Sequence, residues 1–145
     1  IVDLDQIDFT AFQSDASQLL IEDTYEISKE VKLRSNLLRS NCRVTNQPDW
    51  GDIYICIDGD KTVTPESLAK YIVSHRQVSH FHEEICECFY KRLKDAFDPS
   101  ELLVMCLYAR RGGIDINPVR ASNLDLLYDV PIADSFNLPL KTMRQ

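Results

Sequence analysis

The chain has 145 residues, of which 44% are hydrophobic and 27% are charged, and its formal net charge is -7. These values are typical of one globular domain with a substantial core. An acidic balance argues against nucleic-acid binding, which needs clustered Lys and Arg. The longest apolar run, residues 102–109, is too short to cross a membrane. We therefore expect neither a nucleic-acid partner nor a membrane partner.

The pattern of the chain divides it into three parts. Residues 1–32 are acidic and weakly periodic, which predicts a surface lead-in. Residues 33–122 contain the periodic segments of one domain. Residues 123–145 contain two prolines and no clear period, which predicts an irregular tail. Because the first residue is Ile1 rather than Met, we expect the chain to be a piece of a longer protein. No charged segment followed by an apolar run opens the sequence, so we predict no secretory leader.

Two strands and a helix open the domain. Residues 31–45 have an extended pattern, and residues 50–58 are apolar on both faces, which predicts a strand covered on both sides. Thr64 and Pro65 supply a hydroxyl cap and a first-turn proline, which predict a helix start. The apolar stripe of this helix comprises Leu68, Tyr71, Ile72 and His75.

A second helix and two further strands follow. Ser79 is the predicted cap of a helix that ends before Pro99, and its apolar stripe comprises Phe81, Ile85, Phe89, Leu93 and Ala96. Residues 102–108 predict a buried strand, and after a turn at Gly112-Gly113 residues 114–119 return as its hairpin partner. This order predicts an α+β fold, a four-stranded antiparallel sheet with two helices on one face. The uncovered face predicts a homo-oligomer.

The five cysteines have no disulfide framework, and they are Cys42, Cys56, Cys86, Cys88 and Cys106. An odd number of unpatterned cysteines indicates reduced thiols and predicts a cytoplasmic location.

Cys42 is the thiol that the sequence places where a strand meets a turn, and Asp49 follows across a turn that contains Pro48. A thiolate can attack an unsaturated carbon when a nearby acid supplies the proton that the new anion needs. Arg39 and Arg43 are near in sequence and would acidify the thiol if either faced the sulfur. The same spacing also fits a half-buried cysteine and a turn-forming aspartate.

The first turn of the second helix contains His82 and Glu83. An acid there can serve the helix dipole. It can also accept two parallel N–H donors from a planar, guanine-like ring. His82 and Cys86 are spaced for a pair of metal ligands, but no further ligands with a recognisable spacing accompany them, so we predict no metal site.

Arg111 and Gly112 belong to a run of two arginines and two glycines. Guanidinium groups beside accessible glycine amides suit a phosphate or pyrophosphate. The run also fits the solvated tip of a hairpin. Because the Gly-x-Gly-x-x-Gly fingerprint is absent, a nicotinamide cofactor would have to bind by another route.

Three ordered blocks, residues 40–51, 74–83 and 111–118, together resemble one enzyme family. It is the NADPH-dependent 7-cyano-7-deazaguanine reductase family. These enzymes are the nitrile reductases in the biosynthesis of queuosine, a modified nucleoside of tRNA. The resemblance covers residues 33–122 and is greatest to the C-terminal half of the two-module form. It implies the tunnelling fold, a small-molecule deazapurine substrate and the N-terminal half of the same enzyme as a partner.

The resemblance implies roles for the candidate residues. Cys42 would attack the nitrile carbon to give a covalent thioimide, and Asp49 would protonate the nitrile nitrogen. His82 and Glu83 would hold the deazaguanine ring. Two NADPH would then reduce 7-cyano-7-deazaguanine to 7-aminomethyl-7-deazaguanine, with no metal required.

The resemblance also implies that Arg111 and Gly112 contact NADPH. In the single-module form, a Glu-Ser-Lys stretch before the first helix helps bind cofactor and substrate. This chain has Thr64-Pro65-Glu66 in that register. We therefore expect the chain to carry the nucleophile and to lack part of the hydride-donor site.

Two other functions fit the same residues. A thiol-dependent amidohydrolase would use Cys42 with His82 as its base, without a nicotinamide. A non-catalytic tunnelling-fold module that binds a purine or pterin would keep Glu83 as a ring anchor. Such a module would not need Cys42 and Asp49 together.

Overall fold

The computed structural model describes residues 2–19, 24–26 and 30–129. Its strands are β1 (Thr24–Glu26), β2 (Val31–Asn41), β3 (Pro48–Asp58), β4 (Lys61–Val63), β5 (Glu101–Tyr108) and β6 (Val119–Ala121). Its helices are α1 (Pro65–Val73) and α2 (His82–Phe97), and short 3-10 turns span Leu4–Gln6, Ala16–Gln18 and Asp125–Asp129. Neither of these two helices combines the length and apolar character needed to cross a membrane.

The main sheet has four antiparallel strands in the order β2-β3-β5-β6, with α1 and α2 packed on one face. The predicted α+β fold class is therefore confirmed. β1 and β4 form a separate antiparallel pair that the sequence analysis did not predict. The predicted start of α1 is also confirmed, because the Thr64 hydroxyl accepts a hydrogen bond from the Ser67 N–H and Pro65 is the first helical residue.

The pairing of β2 with β3 contains a bulge. Ser35 lies opposite Ile53, but the next paired residue of β2, Leu38, lies opposite Gly51, so β2 contains one extra residue between the two pairs. A bulge of this kind shifts the alternation of side chains along one strand. As a result, Ser35 on one side of the bulge and Leu38 on the other both face the helices.

The core lies between the sheet and the helices. Its fully buried side chains include Tyr71 and Ile72 from α1, Phe89 and Leu93 from α2, and Leu102 from β5. A smaller apolar cluster occupies the opposite face of the sheet and consists of Leu103, Met105, Leu107 and Leu126. Leu126 belongs to the last 3-10 turn, inside the segment for which we predicted an irregular tail. The rest of that tail, residues 130–145, lies outside the described residues.

The loop between β2 and β3 is longer than the sequence predicts, because β2 ends at Asn41 and not at residue 45, while β3 begins at Pro48 and not at residue 50. Asn46 has φ of 56°, a left-handed conformation that asparagine tolerates better than most residues. Its N–H donates to the Cys42 carbonyl at 2.8 Å, and the Cys42 N–H donates to the Gln47 carbonyl at 2.8 Å. These two bonds close the loop directly after the strand.

The start of α2 also differs from the prediction. Ser79 does not cap the helix but forms a bridge with Asn41 at the edge of β2. The N–H of Asn41 donates to the Val78 carbonyl at 2.8 Å, which keeps the segment before the helix extended. α2 therefore begins at His82, and Phe81, predicted as part of the buried stripe, is 43% exposed. The observed buried residues of α2 are His82, Ile85, Cys86, Phe89, Leu93 and Phe97.

The strand that returns alongside β5 is Val119–Ala121, not residues 114–119 as predicted. Arg111 and Ile114 exchange backbone hydrogen bonds of 3.0 and 2.9 Å around the two glycines, so the chain turns locally before it returns. Pro118 has no N–H to contribute to a ladder. Regular pairing with β5 therefore begins after this proline, and a long loop connects the two strands.

His75, just after α1, is fully buried against aromatic rings. Its ring is stacked on Phe89, with centroids 4.5 Å apart, and lies edge-on to Tyr71 at 4.9 Å. The Nδ1 atom lies 3.0 Å from the Tyr71 carbonyl oxygen, and Nε2 lies 3.2 Å from the Ser14 hydroxyl. Burial lowers the pKa of His75 to about 4, with a smaller lowering from the charge of His80 and an opposing effect of the Tyr71 carbonyl.

We expect this histidine to make the folded state less stable as the pH falls. In the unfolded chain His75 takes up a proton near its ordinary value of 6.5, whereas in the folded chain it does so only near 4. The free energy of unfolding should therefore drop by roughly 2 kcal/mol between about pH 7 and about pH 5 through this residue. Urea titrations of the wild type and of His75→Phe, which keeps a ring but cannot titrate, measure the difference. Equal losses in both proteins would contradict the assignment.

Candidate active site

A cleft of about 320 Å³ opens where the start of β3, the start of α2 and the loop after β5 meet. It is lined by Cys42, Thr45, Gln47, Asp49, Phe81, His82, Glu83, Arg111 and Ile116. The cleft therefore contains five of the six residues that we predicted from the sequence. Gly112 adjoins Arg111 and is exposed, but it does not line the cleft. The volume is in the range of small-molecule sites.

A second groove of about 520 Å³ lies between the N-terminal segment, β2 and α1. It is larger, but its lining consists mainly of aliphatic side chains and includes no thiol, imidazole or carboxylate. Of the two, only the smaller cleft combines a thiol with an imidazole and carboxylates. The smaller cleft is therefore the candidate active site.

The pairing of β2 with β3 brings Cys42 and Asp49 to the same cleft. Ser40 lies directly opposite Asp49 in the ladder, so the two side chains point to the same face of the sheet. Cys42 is two residues beyond Ser40, immediately after β2, and its thiol is half-buried. Asp49 is only 2% exposed. The half-buried sulfur of Cys42 and the buried carboxylate of Asp49 therefore lie on the same wall of the cleft.

Two other elements place side chains on one oxygen of the Asp49 carboxylate. His82 at the start of α2 places Nε2 3.1 Å from Oδ1. Arg111, in the loop after β5, donates from Nε to the same oxygen at 2.9 Å and also from Nη2. The Arg111 guanidinium makes further hydrogen bonds to the Gln47 side chain and to the Pro48 carbonyl, the latter at 3.0 Å. A buried carboxylate is stable only with such partners.

Hydrogen bonds lower the pKa of the Cys42 thiol from its ordinary value. The largest contribution comes from the Thr45 hydroxyl, followed by the backbone N–H groups of Thr45 and Val44, while the charge of Asp49 acts in the opposite direction. Donors of this kind stabilise a thiolate over a thiol. The sulfur is therefore held in a surrounding that favours its nucleophilic form.

Neither arginine near Cys42 in sequence accounts for this effect. The Arg39 guanidinium lies over the Trp50 ring at 5.5 Å from its centroid and donates to the Arg76 carbonyl. Arg43 forms a 3.0 Å ion pair with Glu84. Both guanidinium groups thus have partners other than the thiol, and the acidifying groups are the uncharged donors of the turn.

The two acids in the first turn of α2 have different surroundings. Glu84 accepts the Phe81 N–H at 2.8 Å, and its carboxylate also contacts Arg43 and His80. Glu84 therefore serves the helix start, as expected for an acid near the positive end of the helix dipole. Glu83 is exposed and lines the cleft, where it can accept hydrogen bonds from a ligand.

Phe81 is a cleft residue that the sequence analysis missed, because it was assigned to the core of the helix. Its exposed ring lines the cleft beside Glu83, and the Arg43 guanidinium lies 5.2 Å from the ring centroid. An exposed aromatic ring in a cleft offers a surface for stacking a planar heterocycle. Thr45 and Gln47 also line the cleft, and the sequence analysis predicted no role for either. Their spacing of three and five residues from Cys42, across a closed turn, was the available signal.

The described residues offer no cluster of three or more His, Cys, Asp or Glu side chains that could hold a metal ion. His82 and Cys86, the spacing considered for a metal pair, have separate partners. His82 faces Asp49, whereas the buried Cys86 sulfur lies 3.5 Å from the carbonyl oxygens of Val104 and Pro118.

Comparison with known proteins supports one family. The sequence profile described as QueF-like protein matches residues 48–125. The chain is 50% identical over 99 residues to the NADPH-dependent 7-cyano-7-deazaguanine reductase of Psychrobacter cryohalolentis, covering 68% of this chain and 35% of the relative. It is 43% identical over 120 residues to the enzyme of that name from Psychrobacter arcticus, covering 83% and 41%. The chain thus spans about two fifths of the length of these relatives.

A solved structure shares the fold. The crystal structure of the archaeosine synthase QueF-Like in the apo form superimposes with a TM-score of 0.62 at 20% sequence identity. The match covers 67% of this chain and 96% of that chain. Because the identity is low, the likeness establishes the tunnelling fold and no more.

We expect Cys42 to be alkylated faster than the other cysteines at neutral pH, because its pKa is lowered. Cys56 should react slowly, since burial raises the pKa of its thiol to about 12. Thr45→Val removes the hydroxyl donor and should move the pH–rate profile of Cys42 alkylation to higher pH, whereas Thr45→Ser should not. Iodoacetamide labelling followed by peptide mass spectrometry measures both rates. An unchanged profile for Thr45→Val would show that the hydroxyl does not act on the sulfur.

Proposed function

The chain belongs to the QueF-like protein family, and we propose that it bears the nucleophile of a 7-cyano-7-deazaguanine reductase. The observation that carries this proposal is the single cleft shared by Cys42, Asp49, His82 and Glu83. The names of its relatives supply the reaction, reduction of a nitrile with NADPH. The chain's five free thiols support the predicted cytoplasmic setting.

In the proposed first step the Cys42 sulfur bonds to the nitrile carbon. One π bond of the C≡N group breaks, and the nitrogen takes up a proton, which gives a neutral thioimide. The thiolate form that Thr45 favours is the attacking species. Asp49 lines the same cleft as the sulfur, and it would take up the proton that the Cys42 thiol loses and deliver it to nitrogen.

The contacts of Asp49 support this role. With His82 and Arg111 on the same carboxylate oxygen, the side chain is held in one orientation toward the cleft. The bond from His82 Nε2 also gives the carboxyl group a neighbour that can exchange a proton. Fixed orientation of a buried acid is what proton transfer to a bound substrate requires.

Glu83 and Phe81 would hold the deazapurine ring. The exposed Glu83 carboxylate can accept two parallel N–H donors from the amide and amino edge of the base. The adjacent exposed Phe81 ring can stack on its face. A planar base that is bound by its edge and its face would enter the cleft in one orientation, and we propose that this directs its nitrile toward Cys42.

The turn that contains Arg111 fits one part of NADPH. Gly112 and Gly113 have φ of 55° and 83°, and nothing lies within 4 Å of where a Cβ would be at either position. Their exposed backbone, together with the Arg111 guanidinium, would hold a phosphate of the cofactor. Two NADPH, bound in turn, would each supply one hydride, and with two protons these would convert the nitrile to the primary amine. Cys42 is released as a thiolate when its bond to carbon breaks, and it then takes up a proton.

We further propose that a second half of the enzyme is needed for reduction. The relatives are more than twice as long as the segment that matches this chain. In this chain Thr64 and Pro65 start α1, and the Thr64 hydroxyl is bonded to the Ser67 N–H at 3.3 Å. Thr64 and Pro65 stand where the single-module form of the family has its Glu-Ser-Lys stretch, and neither residue lines the cleft. A partner half would supply the remaining contacts to the cofactor.

We expect the chain to gain the mass of one 7-cyano-7-deazaguanine when incubated with that base alone. Cys42→Ala should abolish the gain, as measured by intact-protein mass spectrometry. Asp49→Asn should slow it by roughly a hundredfold, because the nitrogen anion loses its proton donor. Asp52→Asn is the matched control: Asp52 is also buried in β3 and paired with an arginine, Arg34, but it does not line the cleft.

The same experiment separates the alternatives. If the wild type binds the base without any mass gain, and Cys42→Ala still binds it, the nitrile-reductase proposal is contradicted. That result would favour a binding module. Release of ammonia or an acid without NADPH would favour an amidohydrolase. Adduct formation that is equally slow in Asp49→Asn and Asp52→Asn would leave Asp49 without a specific role as the acid.

We also expect the chain by itself to form the adduct but to reduce it slowly, because its hydride-donor site is incomplete. The rate is measured from the loss of NADPH absorbance and from the amount of amine formed. Mixing the chain with nitrile and NADPH and finding rapid, complete conversion to the amine would show that no second half is required.

A further inference from the structure

We propose that Tyr108 and Gly51 are positioning residues of the candidate active site, and that together they fix the imidazole of His82 against Asp49. This inference rests on the proposed function, since it concerns the placement of a side chain in that site. Neither Tyr108 nor Gly51 lines the cleft. Their effect would be transmitted through His82.

The ring of Tyr108 lies flat beneath the imidazole of His82. The two ring centroids are 4.0 Å apart and the planes are inclined by only 10°. Tyr108 ends β5 and is fully buried, so its ring has no room to tilt. A parallel ring at this distance fixes the plane of the imidazole, and the plane determines where Nε2 points. Nε2 points to Asp49 Oδ1, at 3.1 Å.

His82 needs such support because of its position in the helix. It is the first residue of α2, where the backbone lacks the hydrogen bonds of an internal turn and helices fray. Only its Nε2 has a hydrogen-bonding partner among the contacts described above. The stacked ring of Tyr108 is therefore a second contact, beside Asp49, that limits rotation of the side chain.

Gly51 makes room for this arrangement. It lies directly opposite Tyr108 in the pairing of β3 with β5. A Cβ at Gly51 would lie 3.0 Å from the Leu107 carbonyl oxygen and 3.1 Å from Cδ1 of Tyr108. Both distances are shorter than ordinary contacts, so an alanine here would displace the Tyr108 ring, and with it the Leu107 carbonyl, by a few tenths of an ångström. Gly51 is two residues from Asp49 on the same strand face, and β3 thus positions both the acid and the ring beneath His82.

The hydroxyl of Tyr108 is not expected to take part in proton transfer. Burial raises the pKa of the Tyr108 phenol well above its usual range, so the group stays protonated. The ring is the functional part, and phenylalanine should replace it. This distinguishes positioning by stacking from acid–base chemistry.

The test combines a spectroscopic signature with a rate. The chain has three histidines, so the imidazole proton resonances of His82 can be assigned by substitution of the other two. In the wild type the ring current of Tyr108 should shift these resonances upfield. Tyr108→Leu should remove the shift, Tyr108→Phe should keep it, and Gly51→Ala should reduce it. None of these NMR measurements requires substrate or cofactor.

The second readout is the rate of adduct formation with 7-cyano-7-deazaguanine in the absence of NADPH. Loss of a stacked aromatic pair should slow it roughly threefold to tenfold in Tyr108→Leu, with Tyr108→Phe restoring the wild-type rate. Tyr71→Leu is the matched control, because Tyr71 is also a fully buried tyrosine but packs on His75 and Phe89. It should lose stability without a change in adduct rate or in the His82 resonances.

The outcomes separate this inference from the proposed function. If the wild type forms no adduct, the proposed function fails, while the His82 resonances still decide whether Tyr108 and Gly51 position the ring. If the wild type forms the adduct and Tyr108→Leu matches it in both rate and His82 resonances, the positioning role is wrong. Equal slowing in Tyr108→Leu and Tyr71→Leu would show a loss of stability only, and would also overturn it.

Discussion

Oδ1 of Asp49 is the atom at which β3, α2 and the loop after β5 are joined. His82 and Arg111 come from segments far apart in the sequence, and both reach this one oxygen. A carboxylate that is 2% exposed cannot be left without such partners, because its desolvation would be too costly. The requirement to pair this group therefore shapes the cleft, and the side chains that satisfy it are the ones that surround the proposed substrate.

The nucleophile and the acid differ in their surroundings, and this difference suits their proposed roles. Cys42 is half-buried and is met by uncharged donors from its own turn. Asp49 is buried and is met by ionisable side chains from distant elements. A turn can place N–H and O–H donors around a sulfur within a few residues. Orienting an acid requires partners from other parts of the fold, which is why the site lies where three elements meet.

The order of the main-sheet strands and the two helices could be predicted from the sequence, because it depends on local patterns. Motifs and family resemblance predicted five of the nine residues that line the cleft. Thr64 and Pro65 start α1 where their chemistry places it. Element ends were less predictable, since they depend on tertiary contacts. The start of α2 is set by pairing of the preceding segment with Asn41, and β2 ends where Asn46 adopts a left-handed conformation. The stacking of Tyr108 on His82 could not be predicted, because the two residues belong to different elements and no sequence pattern indicates that they meet.

The bulge in β2 has a consequence for how the strand tolerates change in length. Its N-terminal half contributes Val31 and Leu33 to the core, and its C-terminal half sends Leu38 and Ser40 to the same face, next to Cys42. Alternate residues of a strand face opposite ways, so without the bulge Leu33 and Leu38 would lie on opposite faces of the sheet. The extra residue places the odd-numbered positions before the bulge and the even-numbered positions after it on the same face. A one-residue deletion at the bulge would turn one half of β2 to the opposite face of the sheet. Either Val31 and Leu33 would leave the core, or Cys42 would leave the cleft.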